Sequence, residues 1–262
     1  MRPAKECVMK KNVRIAVAAH KPFAGSKSLP DGYFPLQVGS EGKPDLGFTR
    51  DNSGEHISEK NSSYCELTGL YWMWKNLDAD IVGLCHYRRY FSSRPLDRKL
   101  RAMLTREQIV KLLEKHDVIL PRPVNVGRKT VGEHYCAFHY EKDLATTREA
   151  VLALYPDYID SFDSVMNSHK TYQCNMFIAP KPLSDAYCKW LFDVLGYVEE
   201  HTDISGYDNV QGRIFGYLSE RLLSVWMHHH AELRICHKWY ASTELTMGTV
   251  WRVIKDKLQK AR

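Results

Sequence analysis

Apolar and polar positions switch between two periods along this chain, and the switching predicts its elements. Val13–Ala19 is a run of β-branched and small residues interrupted by Arg14, and Pro22 ends it, leaving His20 and Lys21 at its carboxyl end. Residues 22–56 are rich in Gly, Pro, Asp and Ser with little periodicity, a long loop with a short strand at 36–38. Ser63 and Glu66 have capping-box spacing, and Tyr64, Leu67, Leu70, Tyr71 and Trp74 then recur at helical spacing. A buried-type strand follows at 81–85. Thr105 with Gln108 caps another helix, with Ile109, Leu112 and Leu113 on its core face, and 117–120 is a strand. Helical stretches near 143–154 and 157–167 flank Pro156.

A strand at 173–179 leads to an amphipathic helix after Pro182, carrying Tyr187, Leu191, Val194, Leu195 and Val198. The last helix, near 210–227, holds Ile214, Leu218, Leu222 and Val225 on one side. This alternation predicts an α/β fold with a mixed, mainly parallel sheet flanked by helices. No repeat or second domain boundary interrupts it, so 1–262 reads as one domain with a basic amphipathic tail at about 249–262. In that tail Trp251, Ile254 and Leu258 recur at helical spacing beside Lys255, Lys257, Lys260 and Arg262. Such a segment either lies on an anionic membrane surface or packs back onto its domain.

The strongest chemical signal is at 80–91, where the apolar run 81–85 ends abruptly in His86-Tyr-Arg-Arg-Tyr-Phe91. Ligands of open α/β sheets bind outside the carboxyl ends of strands. His86, Arg88 and Arg89 therefore stand where an anion would be held, since adjacent arginines there are costly to desolvate unmatched. The alternative is a surface pair bridged to neighbouring loops. Asp78-Ala-Asp80 spells an Asp-x-Asp metal motif, but it precedes its strand, whereas a metal–diphosphate site needs the carboxylates at the far end. A turn is expected there, with a diphosphate neutralised by cations and no divalent metal required.

Asp51, Ser58, Lys60 and Asn61 cluster before a helix amino terminus, where free N–H groups favour anions; ordinary capping would use one or two of them. Glu133, His134 and His139 follow a glycine-containing loop and are candidates to face an acceptor. Asn175 opens an apolar run and could bind a hydroxyl or satisfy backbone groups. On the last helix Arg213, Gly216, Tyr217, Glu220 and Ser224 share one stripe. Such a stripe is usually solvated. Gly216, however, weakens the helix by about 1 kcal/mol relative to Ala, which implies close packing. Glu220 is the leading general-base candidate, followed by Asp208 and Glu133. His228-His229-His230 diverge on a helix and read as incidental.

A hydrophobic content of 44% in 262 residues excludes bulk disorder. The net charge of +6 suits a nucleotide, nucleic acid or lipid surface. No single-strand platform motif is visible, so no nucleic-acid partner is expected. The seven cysteines form no Cys-x-x-Cys pair, a pattern of reduced thiols in a cytoplasmic protein. No signal-type or membrane-length apolar run is present, so contact with the inner face of the membrane would be peripheral.

Several blocks share one resemblance: Ile57-Ser-Glu-Lys-Asn61, Tyr64-Cys-Glu-Leu-Thr-Gly-Leu-Tyr-Trp-Met-Trp-Lys-Asn76, Gly83-Leu-Cys-His-Tyr-Arg-Arg-Tyr-Phe91 and Asp117-Val-Ile-Leu-Pro121. Asn175-Met-Phe-Ile178, Tyr187-Cys-Lys-Trp-Leu-Phe192 and Gly216-Tyr-Leu-Ser-Glu-Arg-Leu222 belong with them. From about Ile15 to about Trp226 the chain resembles a polysaccharide-biosynthesis family long catalogued as a domain of unknown function, encoded in capsule, exopolysaccharide and O-antigen clusters. The resemblance implies a GT-A-like, Rossmann-like glycosyltransferase using a UDP-sugar, with galactofuranose or galactose as the hexosyl unit, and a lipid-linked or growing polysaccharide acceptor. It further implies that His20, Lys21, Asp51, Ser58, Lys60 and Asn61 line the nucleotide pocket, and that His86, Arg88 and Arg89 meet the diphosphate. Asn175, Arg213 and Glu220 would face the sugar or acceptor; His134 is an acceptor-facing candidate from its place after the glycine-containing loop alone. The rival is a non-catalytic nucleotide- or carbohydrate-binding module of an assembly complex.

Overall fold

Side-chain alternation along the first strand sorts the molecule into two cores. In the computed structural model, which describes residues 11–93 and 102–242, β1 (Val13–Ala19) pairs in parallel with β2 (Tyr33–Gln37) and β4 (Ile81–His86), and β3 (Thr49–Arg50) extends β2. Ala16 and Ala18 of β1, with Val82 and Leu84 of β4, join one core, while Ile15 and Val17, with Ile81 and Cys85, join the other. The first core is covered by α2 (Leu67–Asn76), α5 (Glu141–Leu154), α6 (Ile159–Met166), α7 (Lys181–His201) and α8 (Ile214–His229). The second lies under α3 (Arg106–Leu113), through Ile109 and Val110. The short helices are α1 (Asn61–Tyr64) and α4 (Val131–Cys136).

The sheet is more evenly mixed than strand–helix alternation predicts. β5 (Arg89–Ser92) folds straight back on β4, pairing His86 with Arg89, because the two residues between them allow only a hairpin. β9 (Phe177–Pro180) runs antiparallel to both β4 and β6 (Val118–Pro121). β10 (Ile235–Ser242), a strand the sequence reading misses, runs antiparallel to β5 and parallel to β6. β7 (Val124–Asn125) and β8 (Lys170–Thr171) form a separate ladder.

The Thr105–Gln108 capping box forms in both directions. The Ser63–Glu66 box does not: Ser63 Oγ donates to the Lys60 carbonyl, and the backbone kinks at Cys65 (φ 53°), splitting α1 from α2. The strand expected at 173–179 is confined to β9, because Cys174 (φ 73°) and Asn175 (φ 48°) are left-handed and cannot join a ladder. The basic tail at 249–262 lies outside the described residues. No helix among them is long and apolar enough to cross a membrane.

Candidate active site

The parallel strands run in the order β3-β2-β1-β4, so the winding reverses between β1 and β4. A crevice opens outside the carboxyl ends at such a switch point. There, where Ala18 pairs with His86, lies a cavity of about 400 Å³. The end of β1 supplies His20, the end of β4 supplies His86, and the hairpin turn supplies Tyr87, Arg88 and Arg89. Asn61, Arg213 and Glu220 close it from the helical side.

Its field is positive. The His20 imidazole is held below its ordinary pKa, first by burial and then by the charges of Lys21, Arg88, Lys43 and Arg213. The Arg88 guanidinium lies 5.1 Å from the Tyr87 ring centroid, and Arg213 Nε is 3.2 Å from Cys65 Sγ. His86 Nε2 is 2.6 Å from the Cys174 carbonyl, which can only accept, so that nitrogen carries a proton.

Two carboxylates face the same space. Glu220 Oε1 accepts from the Cys174 N–H at 2.8 Å and Oε2 from Arg221 Nη1 at 3.1 Å. Burial raises the Glu220 pKa above its usual value; Arg221 and the Cys174 N–H oppose the rise, and the Glu66 charge adds to it. Glu66, which the sequence reading takes for a cap, accepts from Asn175 Nδ2 at 2.9 Å and lies 3.8 Å from His86 Nε2.

Backbone strain explains how these groups are aimed. Among the described residues, the non-glycine positions at positive φ are Cys65, Cys174 and Asn175, and all belong to this site. The kink at Cys65 precedes Glu66. The kink at Cys174 offers its N–H to Glu220 and its carbonyl to His86. The close packing expected at Gly216 is against Cys65, whose Sγ would lie 3.1 Å from an added Cβ. Burial pushes the Cys174 thiol up to about 12 and the Cys65 thiol upward too, so both are wall rather than nucleophile.

Other expected residues lie elsewhere. Asp51 is fully buried and accepts from Gly39 N, Ser40 N, Ser40 Oγ, Ser58 Oγ and Thr68 Oγ1, which places Asp51 and Ser58 in an internal knot. Lys60 pairs with Glu199 at 2.8 Å, and exposed Lys21 is not among the lining residues. Asn175 is buried behind Glu66 and does not line the cavity, so it positions rather than faces a ligand. His134 packs its ring 5.1 Å from Phe138, outside the cavity. Asp208 Oδ1 caps the N–H groups of Val210 and Gln211, and Glu133 forms a capping box with Thr130; neither reaches the cavity as a base. Asp80 Oδ2 accepts from Asn12 N at 2.7 Å, at the amino end of β4. The missed residue is Glu66, whose one signal is its place inside the 64–76 block.

The fold is shared with a glycosyltransferase. The apo structure of the bifunctional glycosyltransferase WbbM is similar to this chain at 27% identity with a TM-score of 0.83, covering 89% of this chain and 46% of that one. The chain thus spans a little under half the length of WbbM. No curated protein matches it. Residues 14–231 match the family described as a domain of unknown function (DUF4422), and the chain belongs to that family. This is the family the sequence blocks resemble.

Proposed function

We propose that the chain is a GT-A-like glycosyltransferase. It moves a hexosyl unit, galactofuranose or galactose, from a UDP-sugar to a lipid-linked or growing polysaccharide acceptor at the cytoplasmic face of the membrane. The observation that carries this reading is the single cavity that sets Arg88, Arg89, Arg213, His20 and His86 beside Glu66 and Glu220. Its position at the β1/β4 switch point and the likeness to WbbM support it.

In this reading the cations bind the diphosphate and stabilise the charge it gains as its bond to the anomeric carbon breaks. The acceptor hydroxyl attacks that carbon and passes its proton to Glu220, whose raised pKa suits it as a base. Asn175 orients Glu66 beside it. The donor set does not favour a metal: no group of three His, Cys, Asp or Glu among the described residues could hold one, and Asp78 and Asp80 sit at the other end of β4. The reading assigns no required divalent cofactor and no nucleic-acid partner, and the titration of UDP with and without EDTA tests the first of these. The basic 249–262 sequence is the element assigned to peripheral membrane contact.

The test incubates the protein with UDP-galactose or UDP-galactofuranose in EDTA and follows UDP release. Release that rises with a galactan acceptor is expected. Absence of both UDP binding and UDP release would contradict the reading.

A further inference from the structure

Beyond the cavity, the segments 137–143, which runs into the start of α5, and 203–213 carry a concentration of exposed apolar side chains. Phe138 is 62% exposed, Val210 57% and Tyr140 44%. The segments are fastened together: Gln211 Nε2 donates to the Phe138 carbonyl at 2.8 Å, and Gln211 Oε1 lies 3.1 Å from His139 Nδ1. That amide oxygen can only accept, so His139 Nδ1 donates and Nε2 is left as an acceptor. Burial holds the His139 ring below its ordinary pKa against the opposing Gln211 hydrogen bond, which favours the neutral form.

The rings continue into the active site. Arg213, which lines the cavity, has its guanidinium 5.4 Å from the Tyr217 ring centroid. Tyr217 stacks on His139 at 4.1 Å, next in sequence to Phe138. Tyr140 lies 4.8 Å from Tyr207. A chain of contacts thus runs from Arg213 through Tyr217 to His139, which lies between the exposed Phe138 and Tyr140 in sequence.

We infer that this surface is the acceptor subsite, which grips the saccharide chain leaving the cavity by laying sugar C–H faces on the exposed Phe138 and Tyr140 rings, with the His139–Tyr217 stack as their support. A hexose has the matching chemistry, an apolar C–H face rimmed by hydroxyls, and rings already held against neighbouring rings lose little freedom on binding it. An anionic lipid surface fits less well. The two segments expose Glu141, Asp203 and Asp208 against Lys142 and Arg213. The inference rests on the glycosyl-transfer reading for its occupant.

The experiment uses the full chain with a galactan tetrasaccharide as probe, saturation-transfer NMR for the saccharide and calorimetry for UDP in the same sample. The unmodified protein should contact the tetrasaccharide. The double variant Phe138→Ala/Tyr140→Ala should bind it roughly tenfold more weakly, with UDP affinity unchanged. Tyr217→Phe should retain saccharide binding and Tyr217→Ala should lose it. Saccharide binding indifferent to these rings, or no contact in the unmodified protein, overturns the proposal. So does ring-dependent binding to phosphatidylglycerol vesicles without saccharide contact. Ring-dependent saccharide binding without any UDP binding leaves the saccharide surface standing and removes the transferase reading instead.

Discussion

Two polar clusters flank the helical break at Cys65, and from their residue types alone both read as nucleotide sites. The Asp51 knot turns inward: its carboxylate is surrounded by two backbone N–H groups and three hydroxyls from 39–68, and no charge is left for a ligand. The cluster around His86 turns outward. Its charges come from the ends of β1 and β4, a hairpin turn and the start of α8, and they share one cavity. The difference is where the partners are. A polar group saturated by donors from its own neighbourhood stabilises the fold, whereas charged groups that separate elements bring to the wall of one cavity are placed to meet a ligand.

The largest effect that would sharpen this contrast is on catalysis. Glu220→Gln should lower turnover by about 10²–10⁴-fold, the range for loss of a general base, while UDP affinity changes little. Because burial raises its pKa, Glu220 is still protonated at pH values where an ordinary glutamate, near about 4.3, is ionised. kcat/KM should therefore climb with pH along a limb above that value, and Glu220→Gln should abolish the limb. A normal rate in that variant would move the base to Glu66.

Next in size is Asp51→Ala, expected to cost about 3–5 kcal/mol of stability, since several buried donors lose their acceptor together. Chemical denaturation reads this directly. A well-folded variant with weakened UDP binding would reverse the comparison and return Asp51 to the site. EDTA or added magnesium should alter UDP affinity little; a large gain with metal, lost in Asp80→Asn, would show that the cations are not the diphosphate's partners. The smallest effect belongs to Lys60→Ala. Its pair with Glu199 is partly exposed, so at most about 1 kcal/mol of stability is at stake, and UDP affinity should not move.

What was legible in the sequence followed local rules. β1 has the bounds its composition dictates, the Thr105 cap forms, and the cationic knot lies at the end of its strand as the apolar run implies. The unreadable part is long-range. Glu66 has the spacing of a cap, and only the left-handed backbone at Cys65 together with Asn175, 109 positions away, turns its carboxylate into the cavity. β10 escaped notice because its exposed Trp239 and half-buried Lys238 invert the alternation that its pairing with β5 and β6 requires. Asp51 and Arg88 look equally suited to a phosphate in one dimension; the third decides between them.

In the proposed reading the cations at the ends of β1 and β4 hold the donor's diphosphate. Calorimetric titration of UDP into the unmodified chain and into Arg88→Ala, in EDTA, checks this. Metal-independent binding that weakens by about 1.5–3 kcal/mol in the variant is expected, the range for charge-assisted hydrogen bonds. Unchanged UDP affinity in a folded Arg88→Ala protein would contradict it.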